Sequence, residues 1–246
     1  MRIAFFPGCL VDMMYPDVGK AAIEVLERLG CEVELPREEI CCGQMFLNSG
    51  YERDTIPLMK KTVDAYADYD TVVSLSGSCL HAIINEYPPY LEDDPHYGPR
   101  LARLRENSWE FTEFIVGKLG LTDVGAHLDA KVTYHKSCHL TRLLGVKDAP
   151  LQLLQGVHGL KYVVMEQADR CCGFGGTFSL KEPAISTEIA REKVRTIDAS
   201  SADVVCGADI ACLMNIKGTM DRMREEGALT RDIRVMHIAE ILNSRG

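Results

Sequence analysis

The sequence predicts an α/β protein made of two tandem homologous repeats, each a mostly parallel sheet flanked by helices, with cysteine loops at the carboxyl ends of the strands. Three observations carry this. One cysteine pattern occurs twice: Cys9, then Cys41 and Cys42 before Gly43, then Cys79; and again Cys138, then Cys171 and Cys172 before Gly173, then Cys212. Equivalent positions lie about 130 residues apart throughout, as an internal duplication leaves them and chance does not. Short apolar runs alternate with amphipathic ones, the rhythm of a parallel sheet, and the cysteines follow the apolar runs.

Arg2 to Phe6 reads as a buried first strand, broken by Pro7-Gly8 just before Cys9. Asp17 is placed to cap a helix whose apolar face is Val18, Ala21, Ala22, Val25, Leu26 and Leu29, and Gly30 ends it. Cys31 to Leu35 predicts a second strand, with Cys41 and Cys42 in the loop beyond. Thr71 to Leu75 predicts a third, ending at Ser76-Gly77-Ser78-Cys79. Tyr87 to Pro99, rich in Pro, Asp and Glu and without periodicity, reads as a surface loop. The linker falls near Thr122 to Ala130, giving one repeat over residues 1–125 and another over 126–246. Lys131 to His135, Leu160 to Met165 and Asp203 to Cys206 repeat the three strands, and Phe111-Thr112-Glu113-Phe114-Ile115 is echoed by Ile238-Ala239-Glu240-Ile241-Leu242.

The length of 246 residues suffices for two domains that each bury a core. A net charge of -9 argues against sequence-independent nucleic-acid binding, which needs a basic face to displace counterions from phosphates. No apolar run approaches the roughly 20 residues that span a bilayer, and the first strand runs into Pro7-Gly8 too soon for a signal-peptide core. A cytoplasmic protein is expected. In a reducing cytosol ten cysteines point to metal or redox chemistry rather than disulfides.

Four convergent thiolates suit a soft site, an iron–sulfur cluster or structural zinc. Structural zinc favours two local C-x2-C pairs, whereas here the only local pair is adjacent and the other gaps are long. Adjacent cysteines fit neighbouring irons of a cluster better than one tetrahedral ion. Cys31 and Cys206 fall outside the pattern and read as buried bystanders, with Cys206 the better candidate for a fifth ligand. His135 and His139 flank Cys138 and could donate a proton, bind metal or hydrogen-bond cluster sulfide, the supporting hydrogen-bonding role being the favoured reading. Gly173-Phe174-Gly175-Gly176 reads as a turn that brings backbone to the cluster rather than as a phosphate loop, because Gly43-Gln44-Met45-Phe46 lacks the later glycines.

The twice-repeated Cys, Cys-Cys-Gly and Cys-Leu pattern, from Phe6-Pro7-Gly8-Cys9-Leu10 through Tyr134-His135-Lys136-Ser137-Cys138-His139 to Cys212-Leu213-Met214, resembles the cysteine-rich CCG-domain iron–sulfur family. Relatives include the catalytic subunit of heterodisulfide reductase and the iron–sulfur subunits of glycolate oxidase and anaerobic glycerol-3-phosphate dehydrogenase. The chain is most similar to the small two-repeat members. That resemblance implies an iron–sulfur electron-transfer subunit of a cytosolic oxidoreductase complex for L-lactate oxidation to pyruvate, whose partners are the other subunits, including a second iron–sulfur protein. It identifies no stand-alone flavin or nicotinamide enzyme, and no catalytic residue.

The implied cofactor is one [4Fe-4S] cluster per repeat, on Cys9, Cys41, Cys42 and Cys79 and on Cys138, Cys171, Cys172 and Cys212. The chain departs from heterodisulfide reductase where a C-x-x-C supplies a fifth cysteine: Ser76 and Asp209 stand there instead. A disulfide-reducing subunit and a zinc-stabilised interaction module are therefore the alternatives. Asp209 is expected to cap a helix, with a supporting oxygen ligand as its other reading.

Overall fold

Strand β1 (Arg2–Phe6) is an unbroken apolar run after Arg2, and a strand of that kind must be covered on both faces. In the computed structural model, which describes residues 1–246, it lies at the centre of a parallel four-stranded sheet. The chain divides into two compact units, Met1–Leu119 and Gly120–Gly246.

In the first unit β1 leads to α1 (Cys9–Met14), α2 (Pro16–Arg28), β2 (Glu32–Glu34), α3 (Gln44–Leu47), α4 (Glu52–Tyr66), β3 (Val72–Ser74) and α5 (Gly77–His81), which runs into a π-helical turn over Ala82–Glu86. Next come α6 (Pro88–Leu91), α7 (Tyr97–Asn107), β4 (Ser108–Glu110) and α8 (Phe111–Glu113). The second unit holds β5 (Lys131–His135), a π-helical turn at His139–Leu143, α9 (Ala149–Gln155), β6 (Lys161–Tyr162), α10 (Phe178–Lys181), α11 (Pro183–Ala199), β7 (Val204–Gly207), α12 (Ile210–Glu225), β8 (Arg234–His237) and α13 (Ile238–Asn243).

Strand order is β2-β1-β3-β4 in one sheet and β6-β5-β7-β8 in the other. All pairs are parallel, so the two sheets share one topology. In each, the chain turns one way from the first strand to the second and the other way to the third. The crevice above that switch point, at the carboxyl ends, is where open α/β sheets bind ligands.

Helix α2 buries Val18, Ala21, Ala22, Val25 and Leu26 against the sheet, each Val or Leu contributing about 1.5–3 kcal/mol. It ends as predicted: Gly30 has φ +85, its N–H reaches the Glu27 carbonyl at 2.9 Å, and the Cys31 N–H reaches that of Leu26 at 3.0 Å. Its start corrects the sequence reading. Pro16 takes the first helical position, the cap position is Tyr15 without a side-chain bond, and Asp17 lies inside the first turn.

Two further expectations are overturned. Each sheet has a fourth strand, β4 or β8, that the three-strand reading missed. β4 is the tripeptide Ser-Trp-Glu, too short to show a period of two. Tyr87 to Pro99 is not a surface loop: it contains α6 and the start of α7, and Tyr87 and Leu91 are buried. Pro88 and Pro89 misled because a first helical turn tolerates proline, its missing N–H having no partner there anyway. Asp94 Oδ1 then accepts from the His96 and Tyr97 N–H groups at 3.0 and 3.1 Å, starting α7.

Candidate metal centre

Three strand ends in each unit deliver the cysteines to one place. In the first, Gly8 (φ +80) turns the chain after β1 so that Cys9 opens α1, Cys41 and Cys42 lie between β2 and α3, and Cys79 lies in the first turn of α5. Ser76 Oγ accepts from the Cys79 N–H at 3.3 Å and so caps that turn. In the second, Asp209 Oδ1 accepts from the N–H groups of Ala211 at 3.1 Å and Cys212 at 3.4 Å. The two positions where a relative carries an extra cysteine are thus helix caps that hold the last cysteine of each set.

The glycine of Cys-Cys-Gly is required by the backbone. Gly43 has φ +79, and a Cβ there would stand 2.5 Å from Thr55 Cγ2; Gly173 has φ +87, and its Cβ would stand 2.6 Å from the Ser186 carbonyl oxygen. That turn aims the glycine N–H at sulfur, at 3.5 Å from Cys41 Sγ and 3.3 Å from Cys171 Sγ. The preceding carbonyl is fixed from the other side, by Tyr87 Oη donating to Cys42 O at 2.6 Å and Asn215 Nδ2 donating to Cys172 O at 2.8 Å.

All four sulfurs of the first set meet in a chain, Cys9 to Cys41 to Cys42 to Cys79. In the second set Cys171 contacts Cys172, Cys172 Sγ lies 3.0 Å from Cys212 Sγ, and Cys138 is within electrostatic reach of Cys171 and Cys212. No cysteine is in a disulfide. Cys42, Cys79, Cys172 and Cys212 are buried, Cys9, Cys41 and Cys138 half-buried, and Cys171 exposed.

Packed thiols resist ionising together. Cys9 is pushed up by its hydrogen bond to Cys41 and by burial, and Cys42 by its bonds to Cys41 and Cys79 and by burial. Cys41 is held far down because Cys42 and Cys9 donate to it. Contact with Cys172, then burial, raises Cys171, while Cys138 is raised by burial and then by Cys171. A soft cation among these sulfurs replaces the protons and removes the repulsion, so the donor set fits a thiolate-bound metal or cluster. Two thiolates on one tetrahedral ion at about 2.3 Å stand about 3.8 Å apart. Cys172 and Cys212 must open slightly to hold one.

His135 ends β5 and is buried, and neither ring nitrogen makes a hydrogen bond, although the Ala168 backbone lies beside it. A ring nitrogen, Cys172 Sγ and Cys212 Sγ all lie within 4.8 Å of one another. Burial, then the Lys193 ammonium, push the imidazole down to about 3, so it is neutral with a lone pair available. His139 stands at the rim, its Nδ1 3.5 Å from Cys138 Sγ.

Cys31 opens β2 at the amino end of the sheet, away from the set. Cys206 faces away as well: on β7 it alternates with Val205, which packs with Cys172 and Cys212, so the strand does not bring its sulfur to the set.

Lys193 escaped the sequence reading. It is fully buried in α11, with Nζ on the carbonyls of Gln167 at 2.9 Å and Ala168 at 3.3 Å, and it feels Cys172 and Cys171. A lysine on the face of Ser186, Ala190, Val194 and Ile197 was the available signal.

The cysteine-rich CCG domain matches this chain twice, over residues 3–84 and 132–217. The chain is 49% identical over 245 residues to lactate utilization protein A of Geobacillus kaustophilus and 47% identical over 245 residues to that of Bacillus subtilis, all of both chains being covered in each case. It is 49% identical over 235 residues to that of Lysinibacillus sphaericus, covering 96% of this chain and all of the relative. With both repeats matched and the whole length shared, the chain belongs to the cysteine-rich CCG-domain family and, within it, to the lactate utilization protein A group.

Proposed function

We propose that this chain is an iron–sulfur electron-transfer subunit of a complex that oxidises L-lactate to pyruvate, with one cluster, of the [4Fe-4S] type, on each set of four cysteines. The observation that carries the reading is the convergence of Cys9, Cys41, Cys42 and Cys79, and of Cys138, Cys171, Cys172 and Cys212, at the carboxyl ends of two like sheets. The names of the full-length relatives support the substrate. When bound, a cluster takes up and gives up single electrons. The protein's part is to bind it through thiolates, to aim the Gly43 and Gly173 N–H groups at sulfur, and to bury the inner side of each site under Cys42, Cys79, Cys172 and Cys212.

Ser76 and Asp209, with their oxygens committed to helix amides, give no thiol for disulfide chemistry, which supports the electron-transfer reading over disulfide reduction. Partners need a surface near the clusters. Met13, Met14, Met45 and Phe46 are exposed in helices that follow the first set's cysteines, and Leu143, Leu180 and Ile185 are exposed in segments that follow Cys138 and Cys172. No helix is long and apolar enough to cross a membrane.

Anaerobic reconstitution followed by iron and sulfide analysis tests the cofactor: about eight irons per chain supports two four-iron clusters, and zinc without sulfide refutes them. Lactate-dependent dye reduction at matched iron content tests the role. Turnover only when the other subunits of the system are added is expected; robust turnover by the isolated chain overturns the subunit reading.

A further inference from the structure

The two cysteine sets match, but the seat beside them does not. By strand register Phe6 lies opposite Ser74, and His135 lies opposite Gly207. Counting back along paired strands makes Phe6 and His135 equivalent, and Val72 equivalent to Val205. Phe6 is packed with Cys42 and Cys79 and lies against Tyr66, the ring planes tilted by 52° with centroids 5.0 Å apart. The corresponding seat in the second unit holds an imidazole with two unpartnered nitrogens beside Cys172 and Cys212. An apolar ring fills the seat once; a ring with free donor nitrogens fills it the second time.

A second difference falls on the same side. Gly43 abuts Thr55 in α4, and Gly173 abuts Ser186 in α11, which aligns Lys193 with Thr62. Thr62 is a neutral hydroxyl that donates to the Leu58 carbonyl at 3.0 Å. Lys193 is a buried ammonium within electrostatic reach of Cys171 and Cys172. A nearby positive charge stabilises the reduced form of an iron–sulfur centre, because it offsets the negative charge that the centre must carry.

We infer that His135 is an additional ligand of the second centre alone, one ring nitrogen joining the Cys172 and Cys212 sulfurs, and that the Lys193 charge gives the second centre the higher reduction potential. The inference rests on the metal-centre reading above and deepens it: the duplicated halves hold unequal centres, and an electron given to the protein resides in the second.

Protein labelled with 15N-histidine, reconstituted anaerobically and reduced, is examined by pulsed EPR and by an EPR-monitored redox titration. A strongly coupled histidine nitrogen in one of two centres and two distinct midpoints are expected, with His135→Phe removing the coupling and Lys193→Met moving the upper midpoint down towards the other. Absence of strong coupling in the unaltered protein, or only the weak coupling of a hydrogen-bonded ring, overturns the ligand assignment even if the variant fails to fold. Two equal midpoints overturn the inequality. Iron and sulfide analysis, made first, judges the iron–sulfur reading separately. Should the protein hold zinc, the potential difference falls with that reading, and X-ray absorption of Cys42→Ser protein then decides His135: a nitrogen bound directly to the zinc keeps it, sulfur alone removes it.

Discussion

Glu110 and His237 show how far single positions have diverged within a shared frame. Each ends the fourth strand of its sheet and caps the following helix. Glu110 Oε2 accepts from the N–H groups of Thr112 at 2.8 Å and Glu113 at 3.1 Å and from the Thr112 hydroxyl, while His237 Nδ1 accepts from the Ala239 N–H at 3.2 Å. Burial outweighs those bonds and raises the Glu110 carboxyl to about 7, and burial lowers the His237 imidazole to about 4. The folded state keeps the Glu110 proton that the unfolded chain releases near 4.5. Its contribution to stability is therefore full below that pH and lost as pH rises through about 7, a change of about 3 kcal/mol. His237 titrates with the opposite sign, so the comparison must be with a variant. In denaturant titrations of metal-free, reduced protein, Glu110→Gln is expected to gain on the unaltered chain progressively between pH 4.5 and 7 and then to hold that gain; a difference independent of pH would refute the assignment. Neither role was legible in the sequence, since a glutamate after Trp109 and a histidine after Met236 look like ordinary polar residues until the strands before them are known.

Among elements, the legible ones were those whose signal is local. Strand β1, the apolar face of α2 and the Gly30 stop were all readable because hydrophobic period and a left-handed glycine are written in consecutive residues. Strands β4 and β8 were not, because they owe their state to pairing with β3 and β7 rather than to their own three or four residues. The cysteine pattern exposed the sites, and Asp209 was readable as a cap, but the seat shared by Phe6 and His135 emerged only from strand register. Caps tie element to site. Asp209→Ala should cost about 0.5–2 kcal/mol and free the first turn of α12, where Cys212 sits. Faster amide exchange at Ala211 and Cys212, and quicker loss of the second centre to a chelator with the first unaffected, are the expected readings. Equal loss from both centres would mean that the cap does not hold the site.

At the scale of the whole molecule, duplication makes the sites separable. Each set is drawn from its own sheet, so Cys42→Ser should abolish the first centre and leave the spectrum of the second, Cys172→Ser should do the converse, and Cys31→Ser should leave iron content unchanged. Loss of both centres from one substitution would show that the units load together. Exposure is divided less evenly than the cysteines are. Only Cys171 is exposed; its counterpart Cys41 is half-buried. Molecular oxygen or peroxide diffusing to the protein meets that corner before any other, and a sulfur there oxidises first to sulfenic acid and then beyond easy repair. Under limiting oxygen the second centre should bleach before the first, and mass spectrometry should find Cys171 modified ahead of Cys41. Bleaching in the reverse order would contradict this. On the iron–sulfur reading, a cell must keep oxidants scarce around the protein or rebuild the second centre as quickly as air dismantles it.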